Sequence, residues 1–336
     1  MSAPTIDFFV LTGFLGSGKT TLLRDVLSAE TATDTAVIVN EAGEVGLDGV
    51  LLRESGDDVP MAMLSNGCVC CQIGSDLAFT IDRLIMAPRP DGLPPLRRII
   101  LETSGLSMPG PVLRQLATLA EHRMRVAVVA TYDLTRGLDV ATFEEAAAQW
   151  AAAHRIVATK ADLAPEALAD APLAIAQLNP VAEAIADGNR AAIVAAAFAP
   201  LSSAPPLREL APALAAAHPR LALCLIRPRG EMAYADLAGW LDNVAGRLGE
   251  RLLRIKGLVK VPEAPRPLLV ESVGTMFSPP RQLRADNPPA PFIVVIARDI
   301  DRAELEQVEP KGLFTFSWRE PESRNAPRGI RAEWVT

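Results

Sequence analysis

Phe8-Phe9-Val10-Leu11-Thr12-Gly13-Phe14-Leu15-Gly16-Ser17-Gly18-Lys19-Thr20-Thr21-Leu22-Leu23 decides the fold. An apolar run ends in a glycine-punctuated loop that matches G-x-x-x-x-G-K-[ST] in full at 13–20, and a helical pattern follows Lys19. Strand, loop and helix in that order are the context that gives this motif its meaning. Glycines let backbone N–H groups turn inward around an anion, and the helix N-terminus adds partial positive charge. Lys19 brings a point charge to the β and γ oxygens of a nucleoside triphosphate, and the Thr20 hydroxyl is a ligand for Mg²⁺. Gly13, Gly16, Ser17, Gly18, Lys19, Thr20 and Thr21 are therefore expected to bind the triphosphate, with Lys19 and Thr20 also catalytic. The motif alone selects neither ATP nor GTP.

The surrounding chain is an α/β pattern. Strands are predicted at 8–12, 36–40, 98–102, 126–131 and 156–159, separated by helical stretches near 19–29, 74–86, 110–121, 142–153 and 164–176. Such alternation implies a mostly parallel central sheet flanked by helices. Residues 195–220 are rich in Ala and Pro and read as a linker, with a short helix at 207–217. Beyond it, strands at 221–226, 251–261, 268–272, 274–277 and 292–297 and helices at 234–248 and 301–307 suggest a smaller α+β domain. The division is thus 1–194, the linker 195–220, 221–320, and a loose tail 321–336.

Composition bounds the function. The 336 residues are 49% hydrophobic, which excludes disorder for most of the chain, and the net charge of −7 argues against a nucleic-acid binder. Mean hydropathy is +0.20. The longest charge-free stretch of note, 191–207, is broken by Pro200, Ser202, Ser203, Pro205 and Pro206, so no membrane span is expected. The N-terminus carries no signal-peptide pattern. Three of the four cysteines are clustered, a spacing that suits metal or redox chemistry in a reducing compartment better than disulfides, and cytoplasm is the expected location.

Three further segments carry chemistry. Glu102-Thr103-Ser104-Gly105 closes the apolar run 99–101. There Glu102 can hold Mg²⁺ through water and the Gly105 N–H can meet a γ-phosphate, whereas Ser104 or Ser107 can equally cap a following helix. Thr159-Lys160-Ala161-Asp162 follows another apolar run. A carboxylate at Asp162 accepts both N1–H and the exocyclic amine of guanine and would be left unpaired by adenine; alternatively it caps a helix from Pro165. The usual guanine motif begins with Asn, so Thr159 weakens the expected preference for GTP. Asn66-Gly67-Cys68-Val69-Cys70-Cys71 places three thiolates where the chain turns. They suit Zn²⁺, Cu⁺ or a borderline ion such as Co²⁺, and an incomplete set suits a transferable ion better than a permanent one. The polar loop 40–48 can order around Mg²⁺ and γ-phosphate, and Glu41 within it can complete the thiolate site. Cys224, alone in an apolar strand, reads as core.

In order and spacing, 13–20, 40–48, Cys68-Val69-Cys70-Cys71, 102–105 and 159–162 resemble the CobW-type P-loop GTPases, relatives of the nickel-insertion GTPases of urease and hydrogenase maturation. The resemblance covers roughly 6–190 and extends more weakly through Arg254-Ile255-Lys256-Gly257 and Glu271-Ser272-Val273-Gly274. It implies a P-loop NTPase fold and a GTP-hydrolysing metallochaperone using GTP/GDP, Mg²⁺ and Zn²⁺ or Co²⁺. Lys19, Thr20 and Glu102 would be catalytic; Gly105, Thr159, Lys160 and Asp162 would join the nucleotide site. Glu41, Cys68, Cys70 and Cys71 would carry the transferred metal, delivered to a client metalloprotein. A homodimer is possible, and from composition neither nucleic acid nor membrane is expected as partner. Histidine is absent after His218, so a C-terminal metal buffer is not expected. The competing readings are a cobalt chaperone for cobalamin synthesis, an ATP-dependent small-molecule kinase and a metal or redox sensor.

Overall fold

The computed structural model describes residues 6–28, 30–40, 61–64, 73–89, 92–119, 122, 124–200, 220–283, 288, 290–309 and 312–318. Asn66, Gly67, Glu41, Cys68, Cys70 and Cys71, the loop 41–48, and the helix expected at 207–217 lie outside them.

The first sheet holds seven strands in the order β3-β2-β4-β1-β5-β6-β7, every adjacent pair parallel. They are β1 (Asp7–Thr12), β2 (Thr35–Asn40), β3 (Met61–Leu64), β4 (Arg98–Glu102), β5 (Arg125–Asp133), β6 (Arg155–Thr159) and β7 (Glu183–Ile185). The intervening helices are α1 (Lys19–Leu27), α2 (Ile73–Met86), α3 (Pro109–Ala117), α4 (Glu144–Ala152), α5 (Ala171–Leu178) and α6 (Arg190–Ala197). Alternation along β1 sets the two faces. Phe9 and Leu11 pack under Leu22, Leu23 and Val26 of α1, while Phe8 and Val10 turn to the opposite cluster with Leu77, Val112 and the α4 alanines. The strand order reverses beside β1, whose neighbours are β4 and β5. Open α/β sheets bind ligands in the crevice at such a switch point.

Two expectations need correction. The linker start at 195 falls inside α6. Phe198 just beyond that helix is buried against Phe9 with ring centroids 5.4 Å apart, and the Arg155 guanidinium donates to Ala197 O and Ala199 O. The first layer therefore continues through Ala199. The helix expected near 164–176 splits into a 3-10 turn at Pro165–Ala167 and α5.

The second sheet is antiparallel, ordered β11-β10-β9-β13-β8-β14, with β12 paired to β10. It comprises β8 (Leu221–Pro228), β9 (Leu252–Val259), β10 (Leu268–Val273), β11 (Met276–Phe277), β12 (Arg281–Gln282), β13 (Phe292–Arg298) and β14 (Phe314–Trp318), with α7 (Tyr234–Leu248) and α8 (Arg302–Glu306). Both of its faces are covered. Ile293, Val295, Cys224 and Ile226 pack with Leu237, Trp240 and Val244 of α7. Their alternates Phe292, Val294, Ile296, Leu221, Leu223 and Leu225 share one apolar cluster with the first domain. The Arg254–Gly257 and Glu271–Gly274 segments meet here. Lys256 lies opposite Glu271 across the β9–β10 ladder, and Ile255 N donates to Ser272 Oγ at 3.0 Å.

Candidate nucleotide site

The chain leaves β1 through three glycines at positive φ: Gly13 at 147°, Gly16 at 67° and Gly18 at 92°. A side chain at Gly13 would place Cβ 1.9 Å from Thr131 Oγ1, so both the dihedral and the space demand glycine. Gly18 is the N-cap of α1 and no side chain caps that helix, which leaves its first N–H groups to the loop's concave side. Lys19 is 8% exposed, and its ammonium donates to Gly13 O at 2.8 Å and Phe14 O at 3.2 Å. The Ser17 and Thr131 hydroxyls lie 2.6 Å apart and fasten the loop to β5.

Beside it, the end of β4 presents Glu102, whose Oε1 accepts from the Thr20 hydroxyl at 2.8 Å. Two hard oxygen donors at this spacing fit Mg²⁺. Gly105 is pressed against the phosphate loop: a Cβ there would lie 2.7 Å from Leu15 N and 2.8 Å from Leu15 Cα. Neither serine near it caps α3, whose N-cap is Met108 with no side-chain cap bond.

Thr159 ends β6. Its hydroxyl donates to Ser17 O at 2.8 Å, with Tyr132 O 3.1 Å away, so the threonine docks this segment onto the phosphate loop. Lys160 adopts φ 60°, a left-handed conformation that L side chains rarely hold. Asp162 is exposed and does not cap the turn at Pro165, whose N-cap is Ala164 without a side-chain bond. A cavity of about 780 Å³ runs from Gly16–Thr21 past Glu102–Gly105 to Thr159–Asp162, with Asp187, Gly188 and Arg190 on its wall. It brings Gly16, Ser17, Gly18, Lys19, Thr20, Thr21, Glu102, Gly105, Thr159, Lys160 and Asp162 to one continuous surface.

Sequence reasoning missed Asp133. Its buried carboxylate accepts from Lys160 Nζ at 2.6 Å and from the Thr135 hydroxyl at 2.6 Å, and Arg136 Nε lies 3.7 Å away. Burial works to raise its pKa, but the hydrogen bonds from Lys160 and Thr135 outweigh it and hold the carboxyl below the ordinary Asp value. Arg136 in turn donates to Leu15 O of the phosphate loop at 2.9 Å. One carboxylate therefore joins the two halves of the cavity wall. The only signal for it was an Asp at the end of an apolar strand.

Residues 7–186 match the family described as CobW/HypB/UreG, nucleotide-binding domain. The chain belongs to this family. Residues 222–308 match the cobalamin synthesis protein cobW C-terminal domain, so the CobW arrangement extends to both sheets. The zinc chaperone CobW of Pseudomonas aeruginosa is 29% identical over 337 aligned positions, covering 88% of each chain. The zinc chaperone YjiA of Escherichia coli is 34% identical over 162 positions, covering 47% of this chain and 50% of that protein. The crystal structure of Zn(II)-bound YjiA GTPase from E. coli aligns with TM-score 0.64 and 21% identity over 91% of this chain and 98% of that one, a likeness of fold. Among the described residues of this CobW-family chain, no group of three or more His, Cys, Asp or Glu is placed to hold a metal ion, and no helix is long and apolar enough to cross a membrane. His122 pairs with Asp82 at 2.6 Å, and His154 Nδ1 accepts from Val128 N inside the fold.

Proposed function

We propose that this protein is a GTP-hydrolysing metallochaperone of the cytoplasm that carries a transition metal ion, zinc first, and passes it to a client protein. The observation that carries the nucleotide half is the single cavity joining the phosphate loop and the Thr20–Glu102 pair to Thr159–Asp162. Lys19 and the α1 N-terminus would bind the β and γ oxygens, and Thr20, with Glu102 acting through water, would hold Mg²⁺, which would supply charge neutralisation on the transferring phosphoryl group. Asp162 pairs with the guanine edge, and Lys160, braced by Asp133, lines the base. Gly105 reports the γ-phosphate.

The metal half rests on the soft thiolates of Cys68, Cys70 and Cys71, which suit zinc, with the Glu41 carboxylate as a fourth ligand, and on relatives named zinc chaperones. The cargo binds as thiolate ligands lose protons, so loading weakens as pH falls. Coupling requires only that the two nucleotide states differ in metal affinity. A homodimer belongs to the same proposal; light scattering with and without nucleotide tests it.

The deciding experiment titrates zinc, and cobalt in parallel, into protein loaded with a non-hydrolysable GTP analogue and Mg²⁺ or with GDP. Zinc dissociation constants that differ by about tenfold are expected; equal constants in both states overturn the carrier. A tighter coupling for cobalt would move the cargo assignment to that ion. Lys19→Ala should abolish GTP turnover, and Cys70→Ala should lower metal stoichiometry while nucleotide still binds. ATP used as well as GTP would favour an ATP-dependent kinase, a reading that leaves the cysteines without a task.

A further inference from the structure

Gln149 is completely buried in α4, where an amide is costly unless it is used. Its Nε2 donates to Gly105 O at 2.9 Å and to Ser107 O at 3.0 Å. Two carbonyl oxygens on one side assign the nitrogen, not the oxygen, to that side. The amide thus grips the segment that presses Gly105 onto Leu15 of the phosphate loop. The N-cap of the same helix, Phe143, touches the phosphate loop itself, stacking on Phe14 with centroids 4.8 Å apart.

The other attachments of α4 lead away from the nucleotide. At its start, Glu144 is paired with Arg298 of β13. At its end, Ala152 O accepts from Arg254 of β9 at 2.6 Å. Seven consecutive residues, Ala146 to Ala152, are buried, so the helix has little freedom to shift without its neighbours.

We propose that Gln149 is a positioning residue for the triphosphate: carried on a helix that the C-terminal sheet holds at both ends, it fixes the Gly105–Ser107 segment and makes the discrimination between triphosphate and diphosphate depend on the second domain. The proposal rests on the guanine-nucleotide reading above. A merely structural amide would stabilise both nucleotide states alike. A positioning amide acts on the segment that only a γ-phosphate reaches.

The test uses the full chain with Mg²⁺, GDP and guanosine β,γ-imidotriphosphate. Gln149→Met keeps the volume and removes both donors. It should weaken the triphosphate analogue by about tenfold and leave GDP within about twofold, and Arg298→Met, remote from the cavity, should shift the same ratio in the same direction. Equal losses for both nucleotides, or an unchanged ratio in both variants, overturn the proposal. Hydrogen exchange on the wild-type chain decides the matter should Gln149→Met not fold. Protection of 103–108, 144–152 and 252–259 should change together between the two nucleotides, and a change confined to 103–108 overturns it. A wild-type chain that binds neither guanine nucleotide overturns the GTPase reading itself, whereas one that discriminates normally alongside a discriminating Gln149→Met variant overturns only the role of Gln149.

Discussion

Gly105 and Asp133 show how single residues set the geometry of the phosphate end. A methyl group at Gly105 would collide with the Leu15 backbone, which cannot swing aside as a side-chain tip can. Gly105→Ala should therefore displace the segment and lower single-turnover GTP hydrolysis by about a hundredfold, the scale of losing one preorganised backbone donor. A wild-type rate would mean that the segment shifts freely. Asp133→Asn removes the anion that Lys160 and Arg136 share. Hydrogen bonds to charged groups contribute about 1.5–3 kcal/mol, so GDP affinity measured by calorimetry should fall by roughly tenfold or more; an unaltered value would detach Lys160 from base binding. The residues legible in the sequence, Lys19, Thr20, Glu102, Gly105 and Thr159 to Asp162, sit in short contiguous motifs. Asp133, Arg136 and Gln149 act across gaps such as the 44 positions between Gln149 and Gly105, and no local pattern announces such a pairing. In sequence Thr159 departs from the usual guanine motif, and in the fold its hydroxyl donates to Ser17 O of the phosphate loop.

At the scale of elements, the strands and helices with strong period were readable and the short or compositionally disguised ones were not. β3 and β7 are four and three residues long, too brief for alternation to register. The expected linker start at 195 cuts off the last turn of α6, although Asn189 is an evident N-cap whose side chain accepts from Ala191 N and Ala192 N. β14 carries plain alternation, Phe314-Thr315-Phe316, close to a tail that reads as loose. The docking of α6 is the element most open to test. Phe198→Ala would empty the space beside Phe9 under α1. Truncating a buried Phe costs about 3–5 kcal/mol, so Tm should drop by roughly 10 °C. A drop of only a degree or two would place Phe198 outside the core.

The whole molecule buries charge where its two halves meet. Arg254 and Lys256 are each 1% exposed on the face of β9 turned to the first domain, with Glu271 within 3.8 Å of both and Lys256 Nζ donating to Val181 O at 3.2 Å. Burial, reinforced by Arg254, pushes the Lys256 pKa down to about 7. Burial does the same to His154, with Arg254 and Lys256 adding to it, so this ring stays neutral well below its ordinary value. In the unfolded chain that histidine takes a proton near pH ~6.5. Below that pH the unfolded state binds the extra proton, and stability should fall by about 1.4 kcal/mol per pH unit. Urea unfolding at pH 7.5, 6.5 and 5.5 should show this slope in the wild type and a flatter one in His154→Gln; parallel slopes would assign acid sensitivity elsewhere.

The shared apolar layer beneath the second sheet has a further consequence. Among the described residues, Leu221, Leu223, Leu225, Phe292, Val294 and Ile296 are buried in one apolar cluster with the first domain, and each side covers the other over that patch. A protease cut between Pro200 and Arg220 would thus not liberate two independent modules. Each fragment would carry a greasy flank matching its lost twin, and the pieces would stay together or clump.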